Sequence, residues 1–208
     1  MEKTDKRADI LRAAEMLFSE FGYEGTSTRQ ISKESGANMA MINYYFGSKE
    51  GVFLEIMDSR ISGFKTQLDL IDQESISPKE KLLKVVDRYT RQIFTNSRFH
   101  KMMHRELSLT QRPEMFDQIK EAMACNRRVI ERIIADGIAE GTFREVDIRM
   151  TIASIMGTIT LIATSPNKVE DDQHFDFDDP KQQEKLRLRV VAHLQNLLIT
   201  HLTNTKND

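Results

Sequence analysis

Tryptophan is absent from the 208 residues, cysteine occurs once, and proline and glycine supply only 4 and 9 positions. Each shortage excludes something. The lone Cys125 closes no intramolecular disulfide and has no second thiol for a cysteine zinc site, which argues against a disulfide-stapled miniature and fits a reducing compartment. With so few turn residues and 30% charged side chains, the composition favours helices over a strand-rich chain with its frequent reversals. Long apolar runs are missing too. Ile152 to Ala163 is the longest nearly apolar stretch, far short of the roughly 20 residues that cross a bilayer. The opening MEKTDKRADILRAAEMLF carries charges where a signal peptide needs an apolar core. We therefore expect a cytoplasmic protein with no membrane partner.

No charge dominates either. The formal net charge is −2, and residues 1 to 50 hold 7 Lys/Arg against 8 Asp/Glu, so any affinity for a polyanion must come from local placement. Between Thr26 and Lys49 the bases Arg29, Lys33 and Lys49 face one acid, Glu34. That segment is locally positive.

What is present is helical periodicity. Ile10, Ala14, Leu17, Phe18 and Phe21 form one stripe of a first helix that Gly22 ends. Ser27 with Gln30 reads as a capping box opening a short helix to Gly36, and Asn38 offers the cap of a third, Met39 to about Phe46. Two short helices joined through Gly36 and Ala37, with a longer one behind, make a helix-turn-helix pattern. Ser48 caps a long fourth helix with the stripe Phe53, Ile56, Met57, Ile61, Phe64, Leu68 and Ile71. Ser77-Pro78-Lys79-Glu80 starts another, carrying Leu82, Leu83, Val86, Tyr89 and Ile93. Further helical segments follow Pro113, then run over Asp147 to Thr164 and Leu186 to Leu202. The expected fold is all-α, about nine helices, with a helix-turn-helix domain over 1–47 and a larger helical domain over 48–208.

The third helix has the chemistry of a DNA reader: short or unbranched Asn38, Met39, Ala40 and Met41 for close approach, then Asn43, Tyr44 and Tyr45 to reach phosphates or base edges, while Ile42 and Phe46 face the core. Thr28 and Arg29 stand at the positive end of the second helix, where a phosphate is favoured. The plain alternative is that these tyrosines and methionines pack inside. The residues of the third helix alone leave both readings open. FSEFGYEGTSTRQISKESGANMAMINYYFGSKEGVF resembles the N-terminal pattern of the tetracycline-repressor (TetR) family: glycine and aromatic, Thr-Ser/Thr, an Ala/Ser-Gly turn, a tyrosine-rich helix, then Phe-x-Ser-Lys-Glu. Ile133 to Gly157 is similar, less closely, to that family's late segment. The resemblance implies a dimeric repressor of double-stranded DNA, with contacts from Thr26, Thr28, Arg29, Asn38, Met39, Met41, Asn43, Tyr44, Tyr45 and Lys49. Backbone positioning is expected from Thr26, Thr28, Tyr44, Tyr45 and Lys49, and base reading from Arg29, Met39, Met41 and Asn43. Met41 and Asn43 depart from the hydroxyl and tyrosine usual there, so the operator sequence is not borrowed from relatives.

The remaining chain is expected to sense and to dimerise. Ala153, Gly157 and Thr160 are small, and the last helix is apolar over more than one face through Val190, Leu194, Leu197 and Leu198. Both helices could be buried within one chain; the resemblance implies an interface between two copies. Phe64, Leu68, Tyr89, Phe94, Met102, Met103 and Met123, with Phe99, Met115 and Phe116 nearby in sequence, either fill an irregular core or line a pocket for the small apolar or amphipathic effector that the resemblance implies. No cofactor, metal or catalytic residue is expected. His100 and His104 have a chelating spacing but read HKMMH, and two surface histidines beside Lys101 and Arg105 are the commoner arrangement. Six acids in Val169 to Pro180 read as a solvated loop without the spacing of a calcium site, and Cys125 as a buried thiol near Arg127 and Arg128. No phosphate loop, nucleophile elbow or triad appears, so an enzyme is not expected. The rival from another class is an all-helical ligand-binding or interaction protein that keeps this fold without specific DNA binding.

Overall fold

Nine α-helices, one 3-10 turn and no strand make up the described residues of the computed structural model: 5–108, 113–170, 175–176 and 179–203, without the side chains of 108 and 113–116. In chain order they are α1 Lys6–Phe21, α2 Thr28–Ser35, α3 Met39–Phe46, α4 Lys49–Gln73, α5 Pro78–Thr95, α6 Ser97–Ser108, α7 Pro113–Ala139, α8 Ile148–Thr164 and α9 Pro180–Leu202. The all-α expectation holds. None of the described helices is long and apolar enough to cross a membrane. Met115 and Phe116 of the expected pocket, and Asp171, Asp172 and Asp178 of the acidic stretch, lie outside the described side chains.

The helices form two compact units. The first runs to Ser62 and adds Arg98–Met123; the second comprises Gly63–Ser97 and the chain from Ala124 onward. The boundary expected after residue 47 falls inside the first unit, for a physical reason. With eight residues each, α2 and α3 bury one hydrophobic side chain apiece, Ile31 and Ile42, too little to form a core. α1 supplies Ile10, Ala14, Leu17 and Phe18, α4 supplies Val52, Phe53, Ile56, Met57 and Ile61, and α6 and α7 complete it with Phe99, Met102, Met103 and Ile119. Phe18, Tyr23 and Phe53 pack as a trio with centroids 5.1 to 5.6 Å apart. Phe21, expected on the inner stripe, is exposed because α1 ends there. His100, expected at the surface, is buried.

The core of the second unit joins Phe64, Leu68 and Ile71 to Leu82, Val85, Val86, Ile93 and Phe94 of α5, Val129, Ile130, Ile133 and Ile134 of α7, Ile152, Ile155 and Ile159 of α8, and Val190, Leu194 and Leu198 of α9. Arg187 is buried there and kept charged by Asp87 and Glu184, each 2.7 Å away, as a guanidinium removed from water requires. Cys125 is half-buried rather than buried, and an Arg128 N–H donates to its sulfur at 2.8 Å.

Candidate nucleic-acid interface

The helix-turn-helix is assembled from local bonds that fix its three short pieces before any partner is present. Ser27 Oγ accepts the Gln30 N–H at 3.2 Å and Gln30 Oε1 accepts the Ser27 N–H at 2.8 Å, closing the expected capping box. α2 stops at Gly36, whose φ of 60° and ψ of 20° lie in the left-handed region that side chains resist. Ser32 Oγ donates to the Ala37 carbonyl at 2.6 Å, and the Ala37 N–H donates to Ser35 Oγ at 3.3 Å, which pins the turn. Asn38 Oδ1 then accepts the Met41 N–H at 2.8 Å and starts α3. Beyond α3 the chain folds tightly into α4: a Cβ on Gly51 would stand 1.9 Å from the Phe46 carbonyl oxygen.

Buried Ile42 anchors α3, so the opposite face turns outward. Asn38, Met39, Ala40, Asn43, Tyr44 and Tyr45 are exposed, Tyr44 by 83%, and Arg29 is exposed at the start of α2; Thr28 and Met41 are half-buried. The tyrosines pack on each other edge to face, 5.2 Å between centroids, rather than into the core. The plain alternative of an inward Met and Tyr stripe therefore fails for Met39, Tyr44 and Tyr45. Nine of the ten expected contact residues, all but Thr26, are thus exposed or half-buried, eight of them on α2, α3 and the turn between and Lys49 at the start of α4. Thr26 is 1% exposed and its hydroxyl donates to the Gly22 carbonyl at 2.8 Å. The Lys49 ammonium donates to the Tyr23 and Thr26 carbonyls, both at 2.9 Å, and lies 4.1 Å over the Tyr23 ring. Burial lowers its pKa, and the nearby Glu106 carboxylate partly restores it.

A model of bacterial regulatory proteins of the tetR family matches residues 10–56, and a tetracyclin repressor-like C-terminal domain matches residues 75–164. The HTH-type transcriptional repressor NicS of Pseudomonas putida is 32% identical over 160 residues, 72% of this chain and 71% of that protein. The chain belongs to the tetR family. It is a DNA-binding transcriptional regulator, and the family's N-terminal match spans α1 to the first turns of α4, the helices built above. The fatty acid metabolism regulator protein of Bacillus subtilis is 25% identical over 177 residues, 85% of this chain and 90% of that one. A solved structure of FadR from Bacillus subtilis has the same fold, with a TM-score of 0.72 at 23% identity over 90% of this chain and 96% of that chain.

The other expected sites are distributed as follows. On α8, Ala153 and Gly157 are exposed in a stripe with Met150, Ser154 and Leu161, and Thr160 is half-buried. On α9, Leu197 is exposed, as is Leu188, whereas Val190, Leu194 and Leu198 point into the core of their own unit. A groove of about 440 Å³ lies between the start of α8 and the end of α9, lined by Met150, Ser154, Leu197 and His201 among others. Of the seven pocket residues, Phe64, Leu68, Tyr89 and Phe94 belong to the second unit's core cluster, and Met102, Met103 and Met123 to the first's. The Phe64 and Tyr89 rings lie 5.2 Å apart, and burial raises the Tyr89 pKa.

Two polar residues of α6 were not among the expected sites. His100 is 5% exposed, and neither ring nitrogen has a hydrogen-bond partner among the described residues. Burial, with the positive charges of His104 and Arg60, lowers its pKa to about 3, so the ring is neutral. Glu106 is buried as well. Its spacing carried a signal: Phe99, Met102, Met103 and Glu106 stand at i, i+3, i+4 and i+7, which places a carboxylate in line with an apolar stripe.

Proposed function

We propose that this regulator is a repressor that grips a palindromic operator as a homodimer and releases it when a small apolar or amphipathic effector binds. The supporting observation is the outward face of α3, where Met39, Asn43, Tyr44 and Tyr45 stand in solvent on a helix anchored by a single buried side chain. On this reading Thr28, Tyr44 and Tyr45 position the backbone, Arg29, Met39, Met41 and Asn43 read bases, and Thr26 and Lys49 shape the turn that carries them. One such face covers only a few base pairs, so a two-fold dimer is needed to hold an operator. The exposed stripe of Met150, Ala153, Gly157 and Leu161 with Leu188 and Leu197 is the surface we assign to it.

For the effector, the support is chemical. Neutral His100, which has no hydrogen-bond partner among the described residues, offers one donor and one acceptor beside adaptable methionines, which suits an apolar molecule with a carbonyl or carboxylate oxygen. The Bacillus subtilis relative is named as a regulator of fatty acid metabolism, and the FadR structure holds stearoyl-CoA, which agrees with an acyl effector.

Binding to a random-sequence duplex measured against salt tests the DNA half: phosphate contacts release counterions, so affinity must fall steeply with salt. A protein that retains no duplex at low salt sinks the proposal in favour of a ligand-binding protein of the same fold, a reading that the near-neutral charge of residues 1 to 50 supports. Thermal shift with stearoyl-CoA, stearic acid, an aromatic acid and a drug-like cation tests the effector half. Absence of any shift removes the effector and leaves the DNA reader standing.

A further inference from the structure

A carboxylate is seldom buried unless something inside requires it. The Glu106 side chain is 6% exposed, on a helix whose Phe99, Met102 and Met103 lie in the first unit's core. Its Oε1 accepts the Tyr23 backbone N–H at 3.3 Å and an Arg105 N–H at 3.1 Å. Tyr23 lies in the six-residue link between α1 and α2, the link whose Tyr23 and Thr26 carbonyls receive the Lys49 ammonium. The link is thus held from two sides, by an anion from α6 on an N–H and by a cation from α4 on two carbonyls. Inside it, Thr26 and Gly22 close a further bond. α2 begins immediately after this link and α3 follows through the fixed turn at Gly36, so the pose of the link sets the pose of the reading face.

We infer that Glu106 is a positioning residue for sequence-specific DNA recognition: from α6 it fixes the α1–α2 link in the pose that presents α2 and α3 to the bases. Glu106 touches no DNA on this reading; it acts through Tyr23. Loss of the bond leaves the exposed residues of α2 and α3 intact and frees the angle at which they approach. Phosphate contacts tolerate a loosened approach better than paired base edges do, so discrimination suffers before affinity.

The test uses the full chain, the palindromic duplex that the wild-type protein selects from a random library, and a scrambled duplex of equal length. Glu106→Ala is expected to lower the ratio of selected to scrambled affinity roughly tenfold, the scale of couplings carried through packed networks. Glu106→Gln keeps an acceptor for Tyr23 but removes the charge beside Lys49, and is expected to lose about a third as much on a logarithmic scale. Amide exchange at Tyr23 should quicken in the alanine variant. A folded variant with the wild-type ratio, or with unchanged Tyr23 exchange, overturns the inference; if the alanine variant does not fold, an unchanged ratio in Glu106→Gln does the same. The inference rests on DNA reading by α3, and the two fail separately: a wild-type protein that selects no duplex sinks the reading, while Tyr23 exchange still judges the clamp.

Discussion

α3 and α6 break the habit of apolar inside and polar outside in opposite directions. α3 leaves Met39, Tyr44 and Tyr45 in solvent, while α6 buries His100 and Glu106 beside Phe99, Met102 and Met103. Exposed large side chains cost a helix the stabilisation of burial, and buried polar groups cost it desolvation, so each departure marks a task other than folding. The difference lies in where the partner is. For α3 it is outside the molecule; for Glu106 it is the Tyr23 N–H inside; for His100 no described group serves.

The largest expected effect comes from removing the frame that turns α3 outward. Gly51→Ala drives a methyl into the Phe46 carbonyl oxygen, which cannot move without displacing the end of α3. We expect a loss of about 3 kcal/mol of stability and of sequence-specific binding together, checked by thermal unfolding and duplex titration. A stable Gly51→Ala protein would show that the α3–α4 approach is looser than the geometry requires.

Next comes the proposed dimer, whose role is to place two α3 faces on one duplex. Gly157 is exposed and a Cβ on it meets nothing within 4 Å, so a Gly157→Leu side chain starts into open space rather than into the chain's own packing. Sedimentation should show monomers and DNA affinity should collapse, while the helix keeps its circular dichroism; an unaltered dimer would move the interface elsewhere.

On α3 itself, Asn43→Ala should relax preference at one base position by about 1–3 kcal/mol, whereas Tyr44→Phe should weaken all duplexes alike and by less. Both should leave the melting temperature within about a degree or two, because Asn43 and Tyr44 are exposed. A loss of base preference from Tyr44→Phe would reverse the two roles.

The smallest effect belongs to α6 and depends on pH. Below pH 6.5 the unfolded chain binds a proton that folded His100, facing Arg60 and His104 in an apolar site, refuses until about pH 3. Its contribution to stability is therefore complete above pH 6.5 and lost as the pH falls through that window. Substitution His100→Leu should make the decline between pH 7 and pH 5 shallower and raise stability near neutrality by about 1 kcal/mol, since two nitrogens with no partner among the described residues disappear. Parallel stability–pH curves for the two proteins would mean that His100 takes up its proton as readily in the fold as in the unfolded chain.

Local chemistry made α3 readable and left α6 obscure. The caps of Ser27 with Gln30, of Asn38, and of Ser77 with Glu80 act within three residues, so the sequence shows them directly, and the structure has all three. An inward Ile42 entails an outward Tyr44 two residues on. The roles of Thr26 and Lys49 depend on where the first turn of α4 meets the α1–α2 link, a tertiary fact with no local signature. On α9, apolar residues surround the helix, so periodicity alone did not separate inward Val190, Leu194 and Leu198 from outward Leu197. On α6, Arg98, Lys101 and Arg105 disguised a helix whose other face is core, and His100 went in with it.

The most direct test is selection from a random duplex library by the wild-type protein and by Asn43→Ala side by side. We expect a palindrome with two half-sites from the wild type, and the same palindrome from the variant with preference lost at one symmetry-related pair of positions. Identical motifs from both proteins, or no enrichment by a folded wild-type dimer, would contradict base reading by the outward face of α3.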